Sequence, residues 1–326
     1  MQAVVLVGGE GTRLRPLTND FPKPALTLVD RPFLAYAVEW LAAHGVSEVV
    51  LACGFKPDLL QRALGEGEHE GVRLTYVVEP ERRGTAGAIR FAAEALGERL
   101  EYPFLALNGD VLADLDLSAL RRFHDERGAA ATIALCAVSD SAAYGLVRRD
   151  REGRVLEFTE KTGEPVPGEI NAGAYVLERS VLDLIPAGPE VSIEREVFPR
   201  LAGEGLWAQR LDGYWMDIGT RERYLQASWD ILEGRVQTRV RPTAPGLLLA
   251  AGAGIDAGAE VGPRAVVAGG CRVEAEAEVR ESVLLDGCQV GRGARVERSI
   301  LGPGASVLAG ASLADAIVGR DERVGS

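Results

Sequence analysis

The sequence predicts an α/β chain: a mostly parallel sheet covered by helices, followed by a parallel β-helix. Three observations predict it. Short β-branched runs alternate with helical patterns through the first two thirds. The first such run ends in a glycine-rich turn, Gly8-Gly9-Glu10-Gly11. From Ile255 onward an aliphatic residue returns at six-residue steps.

The elements follow in order. Residues 2–7 form a short apolar strand that stops at Gly8 and Gly9. Residues 33–44 have helical periodicity, with Gly45 placed as a C-cap glycine. Residues 48–52 and 72–78 read as strands, 86–96 as a helix, and 102–107 as a strand running into Asn108-Gly109-Asp110. In sheets of this kind ligands sit beyond the carboxyl ends of the strands. Both GGEGTR and NGD fall there.

The character changes after Gly234, which divides the chain into 1–234 and 235–326. Ile255, Val261, Val267, Val273, Val279 and Leu285 keep the six-residue step. A one-residue slip leads to Val290 and Val296, and a second to Leu301, Val307 and Leu313. Small residues fill the positions between. One inward aliphatic per flat side is the mark of a coiled parallel β-helix.

The bulk numbers bound the function. The chain has 326 residues, 47 % hydrophobic and 26 % charged, with a formal net charge of −12. That charge argues against a protein that coats nucleic acid, while a local cationic cluster still suits a small anionic substrate. Cys53, Cys136, Cys271 and Cys288 form no CxxC pair, so neither a zinc site nor a redox motif is expected, and the reducing cytosol fits. The N-terminal apolar run has no basic region before it and is broken by glycines, so it reads as a buried strand and not a signal peptide. No apolar run has the length of a membrane span. His44, His69 and His124 lie away from every motif and read as structural or surface residues.

The strongest stretch is GGEGTRLRPLTNDFPKPAL, residues 8–26. A glycine-rich turn after a strand lets backbone N–H groups approach phosphates. It is not a P-loop, because no GKS or GKT follows, and the third glycine of the dinucleotide fingerprint is missing. A glycine-rich loop alone is most often only a turn. Here Arg13, Arg15 and Lys23 place three cations in it.

This stretch resembles the opening motif of the sugar-nucleotide pyrophosphorylases, the sugar-1-phosphate nucleotidyltransferases. The resemblance continues in order through GTAGA (84–88), NGD (108–110), YGLV (144–147), FTEK (158–161), NAGAYVL (171–177), SIEREVFPRLAGEG (192–205) and GYWMDIGT (213–220). It covers about residues 1–232, and the six-residue repeats are similar to a left-handed β-helix found in part of the family. Within the family the wording is most similar to the mannose-1-phosphate guanylyltransferases. The resemblance implies a Rossmann-like catalytic domain over 1–234 and a left-handed hexapeptide-repeat β-helix over 235–326.

It also implies roles. Asp110 and Asp217 correspond to two carboxylates that hold Mg²⁺, an ion suited to two hard oxygen ligands plus water and substrate phosphates. Arg13 would hold the triphosphate and Lys23 the α-phosphate region. Leu6, Gly8, Gly9, Gly11, Thr12, Glu79, Gly84, Thr85, Asn108 and Asp110 would complete the nucleotide site. Lys161 would bind the sugar's phosphate, and Gly145, Glu160, Asn171 and Gly173 the sugar. The family's FTEK normally continues with Pro, where this chain has Thr162. No protein nucleophile is needed, because catalysis by positioning and charge neutralisation suffices for an in-line displacement.

Specificity rests on Glu79. Thymidylyltransferases of the family have Gln at this position. A carboxylate can accept both N1–H and the exocyclic NH₂ of guanine, whereas a pyrimidine offers a donor beside an acceptor and suits an amide. The expected reaction is therefore GTP with mannose 1-phosphate. The alternatives are a glucose-1-phosphate thymidylyl- or uridylyltransferase, another sugar-1-phosphate guanylyltransferase such as one acting on a heptose, and a non-catalytic regulatory paralogue. An acyltransferase β-helix is argued against by the absence of histidine after His124. Its flat faces suit self-association, so a cytoplasmic homo-oligomer is expected, with no nucleic-acid or membrane partner.

Overall fold

The computed structural model describes residues 1–142, 144–159, 166–188 and 190–325. The chain forms two compact units that do not follow chain order. One comprises Met1–Gly8 with Ala37–Trp215, the other Gly9–Tyr36 with Met216–Ser326.

The first unit is built on a ten-stranded sheet. Its strands are β1 (Gln2–Leu6), β2 (Glu48–Cys53), β3 (Gly67–His69), β4 (Val72–Val78), β5 (Phe104–Asn108), β6 (Ala131–Val138), β7 (Leu146–Arg149), β8 (Val155–Thr159), β9 (Gly168–Leu177) and β10 (Leu206–Arg210). The path runs β8-β7-β9-β5-β1-β2-β4-β3, and β6 joins β9 to β10. The segment β5-β1-β2-β4 is wholly parallel. Its strands are near-continuous aliphatic runs, as burial on both faces requires; every residue of β2 is buried.

Beyond that segment the sheet is mixed. β9 runs antiparallel to β5, β6 and β7, and β7 antiparallel to β8. Only residues 150–154 link β7 to β8, too few for the crossover a parallel pair needs.

The helices match their sequence signals. Helix α1 (Phe33–Ala43) is followed by Gly45 at φ 76°. Helix α2 (Gly84–Leu96) begins two residues before the expected Ala86, so the GTAGA segment is its first turn. Ala86, Ile89, Ala92, Ala93 and Leu96 of α2 pack in one core with Val4, Val50 and Ala106 of the sheet. Helix α3 (Leu117–Arg127) is capped by Asp116, whose carboxylate accepts the Ala119 N–H at 2.8 Å. His124 is buried and hydrogen bonds with Thr132 at 2.9 Å, and His44 with Ser118 at 2.8 Å. Both are structural, as expected.

In the second unit, helix α4 (Arg221–Leu232) precedes a parallel β-helix of three sheets. Leu249 pairs with Val267, Val267 with Leu284, Leu284 with Leu301 and Leu301 with Val318. The first coil therefore takes eighteen residues and the later ones seventeen. The inward ladder on this face passes through Leu284, not the expected Leu285, because the five-residue step follows Val279 directly. Leu285 is buried too, which is why the pattern alone could not separate them. Cys271, Ala277, Cys288, Ala294 and Ala305 fill the inside of the corners, where only a small side chain fits beside the aliphatic stack.

Candidate active site

The expected site residues fall into two groups, one in each compact unit. Leu6, Gly8, Glu79, Gly84, Thr85, Asn108, Asp110, Gly145, Asn171 and Gly173 belong to the first; Gly9, Gly11, Thr12, Arg13, Lys23 and Asp217 to the second. Glu160 and Lys161 lie outside the described residues.

In the first unit several of the residues expected to bind the nucleotide lie at the carboxyl ends of the parallel strands. Leu6 stands level with Ala52 of β2 and Asn108 of β5. The Gly109 N–H donates to the Leu6 carbonyl at 2.9 Å, which turns the chain so that Asp110 emerges exposed at the strand end. Glu79 follows β4, its N–H donating to the Cys53 carbonyl at 2.8 Å. Partial burial raises the Glu79 carboxyl above its ordinary value, and the nearby Arg83 guanidinium pulls it back only in part.

A hydrogen-bonded network supports the first turn of α2. The Thr85 hydroxyl donates to Glu194 Oε2 at 3.1 Å and accepts from the Ile193 N–H at 2.8 Å. What Thr85 offers a ligand is therefore its main chain. Ser192 donates to the same Oε2 at 2.9 Å, and Tyr175 donates to Oε1 at 3.1 Å. Asn171 Nδ2 in turn donates to the Tyr175 oxygen at 2.9 Å, while Asn171 Oδ1 accepts the Gly173 N–H at 2.9 Å. Burial, and then Glu194, push the Tyr175 phenol well above its usual range, so it stays a donor. Gly173, at φ 72°, presses on Asn108: a Cβ there would stand 2.8 Å from Asn108 Nδ2.

Two residues of this unit were not singled out from the sequence, although both lie inside quoted segments. Glu194 is the hub just described, and it sits in a one-turn π-helix, Ile193–Val197, a distortion common at functional sites. Trp215 donates its indole N–H to the Ala172 carbonyl at 2.8 Å and meets Tyr144 edge-on at 5.3 Å, tying its own position to NAG and YGLV.

In the second unit the cationic loop is closely folded on itself. Gly11 is left-handed at φ 64°, and the Leu14 N–H donates to its carbonyl at 2.9 Å. The Thr18 hydroxyl donates to the same carbonyl at 3.0 Å. A Cβ at Gly11 would stand 3.0 Å from Lys23 Cβ, so glycine is what lets the two ends of the loop meet. Lys23 is buried, and its Nζ lies 3.7 Å from Asp217 Oδ1. Asp217 Oδ2 accepts from Arg223 Nη1 at 3.1 Å. Arg223, on the first turn of α4, was also missed; only its spacing from Asp217 could have marked it. Gly219 makes room for Arg13, since a Cβ there would strike the Arg13 guanidinium.

Asp217 Oδ1 is buried, has no hydrogen-bond partner among the described residues, and lies near a cation at ion-pair distance only. A carboxylate oxygen left in this state fits a metal ligand. Among the described residues no three His, Cys, Asp or Glu side chains group together. The donor set therefore suits a hard ion that completes its shell with water and phosphate oxygens.

Family models match the chain as "Nucleotidyl transferase" over residues 2–234 and "GMPPB C-terminal domain" over 243–326. A mannose-1-phosphate guanylyltransferase of Mycobacterium tuberculosis is 41 % identical over 296 residues, which cover 84 % of this chain and 82 % of that protein. A mannose-1-phosphate guanyltransferase of Candida albicans is 42 % identical over 232 residues, covering 70 % and 64 %. Among solved structures, HddC from Yersinia pseudotuberculosis complexed with GMP-PN superposes with a TM-score of 0.61 at 27 % identity, over 71 % of this chain and 99 % of that one. These matches show that the chain belongs to the nucleotidyl transferase family.

Proposed function

We propose that the protein joins GTP to mannose 1-phosphate, giving GDP-mannose and releasing pyrophosphate, with Mg²⁺ as its metal. Membership of the family makes it a nucleotidyltransferase taking a nucleoside triphosphate and a sugar phosphate, and the family uses a divalent ion. The finer reading is carried by the 41 % identity, across most of both chains, to a protein named mannose-1-phosphate guanylyltransferase. Glu79 supports it: a carboxylate beyond β4 matches the paired donors of guanine.

In the proposed reaction a phosphate oxygen of the sugar substrate attacks the α-phosphorus in line. A new P–O bond forms, the bond to the bridging oxygen of the β-phosphate breaks, and its electron pair leaves with pyrophosphate. Arg13 holds the leaving phosphates and Lys23 the α-phosphate. Lys161 holds the sugar's phosphate, and Gly145, Glu160, Asn171 and Gly173 hold the sugar. Leu6, Gly8, Gly9, Gly11, Thr12, Gly84, Thr85 and Asn108 shape the nucleotide site. Asp110 and Asp217 are the proposed magnesium ligands, and the ion when bound neutralises charge on the phosphates. Arg223 and Lys23 flank the Asp217 carboxylate and hold it in position.

The test is a pyrophosphate-release screen of each nucleoside triphosphate against mannose and glucose 1-phosphates, with metals varied. The largest kcat/KM is expected for GTP, mannose 1-phosphate and Mg²⁺; a clear preference for dTTP or UTP overturns the guanine reading. We further propose that 1–234 is the catalytic part and 235–326 a self-association module of a cytoplasmic homo-oligomer. Four buried thiols outside any disulfide fit a reducing compartment. No helix among the described residues is long and apolar enough to cross a membrane.

A further inference from the structure

The loop that carries Arg13 and Lys23 shares a compact unit with the β-helix, and its middle is packed on the last coils. The Arg320 guanidinium lies 4.6 Å from the centroid of the Phe21 ring. A Cβ on Gly319 would stand 3.3 Å from Pro16 Cγ, and one on Gly302 would stand 3.0 Å from Leu17 Cδ2. The loop therefore bears on two successive coils at Pro16, Leu17 and Phe21. Leu17 is almost fully buried, at 3 % exposure. Glu322 accepts the Gly319 N–H at 2.7 Å and fixes the turn that receives Pro16. From Phe21 the chain passes through Pro22 directly to Lys23, so little slack separates the Arg320 contact from the lysine.

The β-helix also grips the segment after Asp217. Arg221, at the start of α4, pairs with Asp315 at 3.3 Å, and Asp315 is held by Arg298 through bonds of 3.0 and 2.8 Å. At the other end of α4, Glu233 pairs with Arg264 at 2.7 Å, whose guanidinium stacks 5.1 Å from Trp229. The β-helix thus holds both the helix that follows Asp217 and the loop that leads to Lys23.

We propose that Arg320 is a positioning residue for the nucleoside triphosphate, acting through Phe21 on the loop from Arg13 to Lys23, and that the β-helix serves the transfer reaction as well as any self-association. The proposal rests on the reading of that loop as the triphosphate site. A loop of glycines and long cations loses conformational freedom when it closes on phosphates; docking it on the β-helix beforehand removes part of that cost.

Kinetics of Arg320→Ala, Arg320→Lys, Gly319→Val and Arg292→Ala test it, with a melting curve for each. Arg320 is exposed and its removal leaves the core intact. Losing one exposed cation–aromatic contact predicts a rise of about fivefold in the KM for GTP. The KM for mannose 1-phosphate should stay constant, and the melting temperature should stay within about 2 °C. Arg320→Lys, which retains a cation for Phe21, should recover most of the loss. Gly319→Val, which pushes on Pro16, should raise the same KM. Arg292→Ala removes an exposed pair with Glu276 elsewhere on the β-helix and should behave as wild type. An unchanged KM for GTP in both Arg320→Ala and Gly319→Val overturns the proposal. So does a parallel rise of both KM values with a fall in the melting temperature, which marks a purely structural role. Wild-type protein without turnover on any pair of substrates sinks the reaction reading instead; the Arg320 proposal is then read from GTP-induced thermal stabilisation.

Discussion

Lys23 and Asp217 form an ion pair, Nζ to Oδ1 at 3.7 Å, in which the lysine side chain is 7 % and the aspartate 20 % exposed. The pair is too long for a good hydrogen bond, so the carboxylate oxygen is oriented by charge without being used up. Asp217 has two tasks: it balances a buried ammonium, and in the proposed mechanism it gives a lone pair to the metal. Asp217→Asn should remove both. The expected result is a fall in kcat of about 10² to 10³ and a loss of roughly 1–3 kcal/mol of stability. Pyrophosphate release and urea unfolding measure the two. Near-normal turnover would remove Asp217 from the metal site.

Glu79 is the proposed basis of the guanine preference, and its raised carboxyl would give that preference a pH dependence. Only the ionised form accepts both guanine donors. Because burial lifts the folded-state value, protonation sets in at a higher pH than for an ordinary carboxylate. The KM for GTP should therefore rise as pH falls, beginning above the usual carboxylate range. Glu79→Gln should flatten that profile and lower the ratio of GTP to UTP turnover about tenfold to a hundredfold. A wild-type profile left unaltered by the substitution would show that Glu79 does not read the base.

Glu194 accepts from Thr85, Tyr175 and Ser192 at once. Removing it leaves three hydroxyls without their acceptor, Tyr175 being fully buried. Glu194→Ala should cost about 2–3 kcal/mol in a denaturant titration. Glu194→Gln, which can still accept hydrogen bonds, should cost less. The KM for the nucleotide should rise in Glu194→Ala, because the first turn of α2 loses its support. A variant that unfolds at the wild-type midpoint would contradict the network.

Much of this was legible in the sequence for physical reasons. Strand ends and glycine turns mark where ligands meet a parallel sheet, so the positions of GGEGTR and NGD at the ends of their strands could be expected before any coordinates. The aliphatic period revealed the β-helix, because each flat side must bury one large residue. The same logic failed at Leu284 and Leu285, where two adjacent leucines are both buried and only the strand register separates them. Glu194, Trp215 and Arg223 stayed hidden because their value lies in partners distant in the chain: Glu194 meets Thr85 more than a hundred residues away. The antiparallel half of the sheet was also unread, since short links between strands do not show in local propensity. The dependence of the cationic loop on Arg320 has no local signal at all.

Gly219 provides the sharpest separation of fold from function. It lies between Asp217 and the N-cap Thr220, in a conformation that tolerates a side chain, and the atoms a Cβ would strike belong to the far end of the Arg13 side chain. A flexible guanidinium can swing aside at little cost to the fold, unlike a backbone carbonyl or a packed core group. Gly219→Ala should therefore leave the melting temperature within about 2 °C of wild type. Arg13 is displaced, however, and a misplacement of the order of an ångström at a phosphate-binding cation costs about 10²-fold in rate. The prediction is a stable protein with kcat/KM for the nucleotide reduced about a hundredfold. Arg13→Ala should remove most of the effect of adding Gly219→Ala, because the group being displaced is already gone. Independent, multiplying losses in the double variant would mean that Gly219 acts through something other than Arg13.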